Sequence, residues 1–139
     1  MADNPNDLVR TLSGAFSLGD WATVATLFVP PVALYHEENL VLTVTLDQIL
    51  DLLAANRERL RKRGVSRVEP HIDANEVTAH GTTRIWLTWS NLSETGEVMG
   101  TSPAVLYCTR AADGALQIQV MEFLGYAFPE LLAQMPWMK

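Results

Sequence analysis

Three glycine turns in the second half of the chain constrain its fold more than any other feature. Ala79-His80-Gly81, Glu94-Thr95-Gly96 and Ala112-Asp113-Gly114 each end a short small-or-polar run in glycine, the chemistry of a tight reversal. They divide the second half into segments at about 65–79, 82–93, 97–110 and 115–126, each alternating with period two. Four consecutive long strands joined by short turns predict an antiparallel meander, and such a sheet must bury one face under another layer. Pro70 and Pro103 interrupt two of the strands. Each predicts an edge position or a bulge, because proline cannot donate to a ladder.

The first half supplies the cover. Asn4 followed by Pro5 predicts a helix start, and Leu8, Leu12 and Phe16 recur at four-residue spacing over about 5–18. Gly19 can end that helix in the left-handed conformation, and Asp20 can cap a second one over about 20–28. Trp21, Val24, Ala25 and Phe28 make its apolar stripe, and Pro30-Pro31 is expected to stop it. Val32 to His36 reads as a strand, Glu37-Glu38-Asn39 as a turn, and Leu40 to Val44 as a second strand. Thr45-Leu46-Asp47-Gln48 is a capping box opening a third helix that closes at Gly64. Leu46, Ile49, Leu50, Leu53 and Leu60 share one side of it, which is expected to lie on the concave face of the sheet. The prediction is one α+β domain over residues 1–139: a curved antiparallel sheet, one long helix and two N-terminal helices.

Charge and composition narrow the function. Sixteen acidic residues against ten basic ones give a net charge of −6, which argues against a general nucleic-acid binder. Arg57, Arg59, Arg61, Lys62 and Arg63 crowd the end of the third helix. There the helix dipole favours cations, so they read as a solvated helix end or as an anionic-ligand site. Cys108 is the one cysteine, sits in an apolar run and reads as a buried thiol. The start, MADNPNDLVR, lacks a basic segment followed by an apolar one, so no signal peptide is expected. No run is apolar and long enough to span a membrane, and a cytoplasmic location is expected. The three histidines, His36, His71 and His80, show no metal-ligand spacing, and no phosphate loop or nucleophile elbow is present, so no metal and no cofactor are expected.

The element order, with the stretch FSLGDWATVATLFVPPV from Phe16 to Val32, resembles the NTF2-like superfamily. It is most similar to the SnoaL-like and ketosteroid-isomerase-like branch. The resemblance implies a cone-shaped, cystatin-like α+β barrel with a deep apolar pocket, usually dimeric through the outer face of its sheet. Counting forward from Gly19-Asp20, the position of the family's general base is His36. The two oxyanion-hole positions fall on Leu12 and Leu106, with Tyr107 one step from the latter. Leucine has no proton to donate, so steroid isomerisation by that route is not expected.

Two residues are the catalytic candidates. Val32, Leu34 and His36 alternate onto one side of their strand, so burying the first two points the imidazole inward. His36 reads as a pocket acid/base titrating near neutral pH, or as a strand-end histidine bonded to a turn. Glu122 alternates with Leu116, Ile118, Val120, Leu124 and Tyr126, placing a carboxylate on an apolar face. It reads as a partner for His36 or a substrate-orienting acid, as half of an ion pair with an arginine, or as a residue turned outward by a bulge. Trp89 shares a side with Ile85 and Leu87, as a core tryptophan or a pocket wall. Trp89, Leu12, Leu106 and Tyr126 are the ligand-lining candidates. The expected function is binding or transforming a small apolar organic molecule by cofactor-independent acid/base chemistry. The alternative is a non-catalytic ligand-binding or protein-interaction module. Apolar side chains on both faces of the strands, Trp86 against Ile85 and Leu87 for example, predict a homodimer.

Overall fold

The computed structural model describes residues 3–36, 39–43 and 45–125. Its elements run α1 (Pro5–Leu18), α2 (Trp21–Ala25), β1 (Phe28–His36), β2 (Asn39–Thr43), α3 (Leu46–Lys62), β3 (Arg67–Val77), β4 (Thr83–Leu92), β5 (Val98–Arg110) and β6 (Leu116–Phe123). The six strands form one sheet in the order β2-β1-β6-β5-β4-β3. β3 to β6 make the expected antiparallel meander, but β1 lies parallel to β6, so the sheet is mixed rather than wholly antiparallel. Extra residues interrupt the register in β1/β6, β3/β4, β4/β5 and β5/β6, and such bulges bend a sheet.

Local chemistry sets the helix ends as the residues predict. Asn4 Oδ1 accepts from the Asp7 N–H at 2.9 Å and caps α1. Gly19 closes it at φ 71°, a conformation a side chain resists, and a Cβ there would meet the Arg57 guanidinium at 3.4 Å. Asp20 then accepts from the Thr23 N–H at 3.2 Å and the Thr23 hydroxyl at 2.6 Å. These two bonds hold its carboxyl below the usual carboxylate range. The capping box at α3 is complete: the Gln48 N–H reaches Thr45 Oγ1 at 3.2 Å, and the Thr45 N–H reaches Gln48 Oε1 at 3.1 Å.

Tertiary contacts move two features. α2 ends at Ala25, short of the expected Phe28, because β6 captures the chain: Ile118 N–H donates to Leu27 O at 2.7 Å. Pro30-Pro31 therefore lies inside β1 instead of ending a helix. Pairing with β6 lapses between Phe28 and Ala33, and pairing with β2 begins only at Val32, so the ladder does not need the two missing N–H groups. Pro70 sits on the edge strand, as proline prefers. Pro103 falls where β5 outlasts its pairing with β6, and its carbonyl takes the Leu124 N–H at 3.0 Å.

The second correction concerns cover. α3 was the helix expected to bury its stripe, yet only Ile49 is buried, while Leu46, Leu50 and Leu53 are half-buried. α1 buries Leu8, Val9, Leu12, Ala15 and Phe16. The junction is fixed by polar contacts at Ser17: its carbonyl accepts from Arg57 Nε and Nη2 at 3.2 and 3.0 Å, and its hydroxyl accepts from Val68 N–H at 3.0 Å. α1, α3 and β3 are thus tied at one point. The core lies between α1 and the inner sheet face, where Val32, Leu34, Ile85, Leu87, Leu106, Cys108 and Ile118 are buried. No helix among the described residues is long and apolar enough to cross a membrane.

Candidate functional site

Strand register assembles the inner face row by row. Leu34, Met121, Leu106 and Ile85 lie side by side across β1, β6, β5 and β4, and all are buried. The next row is His36, Phe123, Ala104, Leu87 and Ile72. Beyond it come Ser102, Trp89 and Pro70, then Gly100, Asn91 and Val68.

The alternation of β1 puts His36 where the sequence pattern predicts, inward with Val32 and Leu34, at 4% exposure. Tyr35 between them faces out and is exposed. Ala104 beside Phe123 is the smallest side chain of the His36 row. Phe123 and Trp89 pack against the core but stay half-buried.

Glu122 does not join His36. β6 carries an extra residue, Gln119: Ile118 pairs with Cys108, but Val120 pairs with Tyr107. One inserted residue shifts a period-two pattern by one, so Leu116 and Ile118 face in, and from Val120 onward the faces exchange. Met121 and Phe123 then take the inner face, and Glu122 goes outward beside Tyr35 and Val105. This corrects the expected grouping of Val120, Glu122 and Leu124 with Leu116 and Ile118. On the outer face Glu122 Oε1 accepts from the Tyr107 hydroxyl at 3.1 Å. Burial, then this hydrogen bond and the Glu122 charge, push the Tyr107 phenol above its ordinary range, against the opposing pull of Arg84. Arg84 lies 5.4 Å from the ring centroids of both Trp86 and Tyr107, and its Nη1 is 3.4 Å from Glu76 Oε1.

Leu12 and Leu106 are buried in the packed core. Tyr126 lies outside the described residues. Cys108 is buried on the inner face, and desolvation pushes its thiol up to about 12, so it stays protonated and inert at neutral pH. His71 and His80 are exposed, and His71 Nε2 is 3.6 Å from Asp73 Oδ1. Among the described residues no group of three His, Cys, Asp or Glu side chains is placed to hold a metal. An open, polar cleft of about 450 Å³ lies between the start of α1 and β3, lined by Asn4, Arg10, His71 and Asn75 among others. It contains none of the candidate residues.

Asn91, which is not one of the candidate residues, is 3% exposed. Its signal was present: it continues the Ile85, Leu87, Trp89 alternation, a polar side chain on the apolar side of a strand.

A bent mixed sheet with α1 across its inner face, and an αα-ββ-α-ββββ order, defines an α+β protein built on one curved six-stranded sheet. The particular fold is NTF2-like. No family model and no curated protein matches the sequence. Solved structures do match in shape. Aln2 from a Streptomyces species superposes with a TM-score of 0.65 at 16% identity, covering 96% of this chain and 99% of its own. An NTF-2-like protein of unknown function from Shewanella oneidensis gives 0.63 at 12% identity, covering 85% and 93%. A de novo designed protein with a curved β-sheet gives 0.58 at 11% identity, covering 88% and 100%. Identities this low show the fold alone, and a fold by itself decides no activity.

Proposed function

We propose that the inner face of the sheet walls a pocket for a small apolar organic molecule, with His36 as its proton-transfer group and no resident cofactor. The observation that carries this reading is the placement of His36: a buried imidazole in one row with Phe123, Ala104 and Leu87. Of the inner-face residues named above, only His36 and Cys108 titrate, and the Cys108 thiol is held protonated. That leaves the imidazole as the inner-face group able to give or take a proton. The half-buried Phe123 and Trp89 on the sheet, and Leu46, Leu50 and Leu53 on α3, supply apolar surface that a ligand would cover. Each Å² so covered is worth about 25 cal/mol. With Glu122 on the other face, His36 acts without a carboxylate from β6. Leu12 and Leu106 offer no hydrogen to a developing oxyanion, so binding, with proton transfer confined to His36, is the reading supported best.

The outer face supports a second role, self-association. Tyr35, Leu40 and Leu42 are exposed there side by side across β1 and β2. A contiguous apolar strip of this kind favours a two-fold contact with a second copy.

The pocket reading is tested by screening small aromatic and aliphatic fragments against isotope-labelled protein by NMR. Binders are expected to shift the Trp89 indole and His36 imidazole resonances, and His36→Ala, with an unchanged circular dichroism spectrum, should alter their affinity. Binders that move only outer-face resonances such as Trp86 and Tyr107 would overturn it.

A further inference from the structure

Asn91 lies on the inner face two residues beyond Trp89, flanked in register by Gly100 and Val68. Its side-chain nitrogen donates to the Gly100 carbonyl at 3.3 Å and to Ser102 Oγ at 3.4 Å. A backbone carbonyl can only accept, so the atom facing Gly100 must be the NH₂ group, and the orientation of the amide follows. Both N–H groups are then engaged, and Oδ1 is held pointing away from them. Among the described residues no donor reaches Oδ1. Among the described residues it is also not one of the side-chain atoms both sealed from solvent and lacking a partner. A side chain at 3% exposure therefore keeps one strong acceptor open while its donors are spent. A ligand that covers this opening must supply a donor in place of water or leave the acceptor unmet at a cost.

We propose that Asn91 Oδ1 is the polar anchor of the pocket, accepting a hydrogen bond from a hydroxyl or N–H on an otherwise apolar, Trp89-sized ring ligand. The proposal rests on the pocket reading above and adds the chemical class of the ligand. Ligands carrying one donatable hydrogen at the end of an apolar ring system meet both requirements: the rings cover Trp89, and the hydrogen satisfies Asn91. Ethers and ketones of the same shape bring a second acceptor against Oδ1 and are rejected.

The test uses two probes of one ring system, 2-naphthol and 2-methoxynaphthalene, titrated against the whole chain with tryptophan fluorescence as the signal. The naphthol is expected to bind about tenfold more tightly, the worth of one net hydrogen bond. Asn91→Leu is expected to erase that gap while keeping affinity for the ether. In the unsubstituted protein the Asn91 side-chain amide resonances should shift with naphthol and not with the ether, a readout that does not depend on the variant folding. Equal binding of the two probes, or a gap that survives in Asn91→Leu, would overturn the anchor and leave the pocket standing. Failure of both probes to bind would remove anchor and pocket together.

Discussion

Tyr107 donates its phenolic hydrogen to Glu122 Oε1 at 3.1 Å, on the face of the sheet opposite His36. That one contact divides the protein's polar chemistry. The carboxylate that sequence alternation assigned to the pocket belongs to an outer-face cluster with Tyr107 and Arg84. The imidazole stays on the inner face, in the row of Phe123, Ala104 and Leu87.

The Tyr107–Glu122 bond should be measurable in stability. Tyr107→Phe is expected to lower the unfolding free energy by about 0.5–1.5 kcal/mol. The pH dependence has a definite sign. The folded phenol titrates above its ordinary value of 10.0, so the folded state holds this proton more tightly than the unfolded chain. Its contribution is fully present below that value and is lost as pH rises through the folded pKa. Urea unfolding across the alkaline range should show a shallower decline for Tyr107→Phe than for the unsubstituted chain. Parallel declines would count against the bond.

Seating of α3 predicts an ordering of two leucine-class truncations. Ile49 is 1% exposed and inside the core cluster, whereas Leu50 only packs against its edge. Ile49→Ala should cost about 2–5 kcal/mol and Leu50→Ala clearly less. Denaturant unfolding of both variants decides it, and a reversed order means that α3 is seated on its Leu50 side.

Cys108 should be silent in the native state. Its thiol is pushed from 9.0 to about 12, and the thiolate is the reactive form. A disulfide-exchange reagent at pH 8 is expected to label it only at the rate of unfolding, rising in step with added denaturant. Rapid labelling of the folded chain would contradict the burial of β5.

Self-association through the outer face predicts a mass near twice 15.4 kDa in light scattering at micromolar concentration. Leu42→Arg, which places a charge in the exposed apolar strip, should return the protein to a monomer without loss of helix signal. A soluble, stable monomer of the unsubstituted chain would rule the contact out.

How much of this was legible follows from how local each cause is. The caps at Asn4, Asp20 and Thr45, the left-handed Gly19 and the three glycine turns act within a few residues, so they could be read directly and the element order followed from them. His36 was legible for the same reason: β1 alternates without interruption from Val32 to His36. Asn91 was legible in principle, since its strand keeps period two from Ile85, although its significance depends on Gly100 and Ser102 from a neighbouring strand.

The rest required strands to meet. Gln119 is an exposed residue that continues the alternation of Gln117 with Leu116 and Ile118, and nothing in its own neighbourhood marks it as extra. Only pairing of β6 with β5 makes it a bulge, and that bulge decides which face receives Glu122. The end of α2 is set by Ile118, more than ninety residues away in sequence, whose N–H donates to Leu27 O. The parallel pairing of β1 with β6, and the choice of α1 over α3 as the buried helix, likewise depend on which surfaces come together. Periodicity along the chain determined the elements and the inward turn of His36. Register between distant strands decided which of the candidate residues share a face, because a shift of one residue reverses every side chain beyond it.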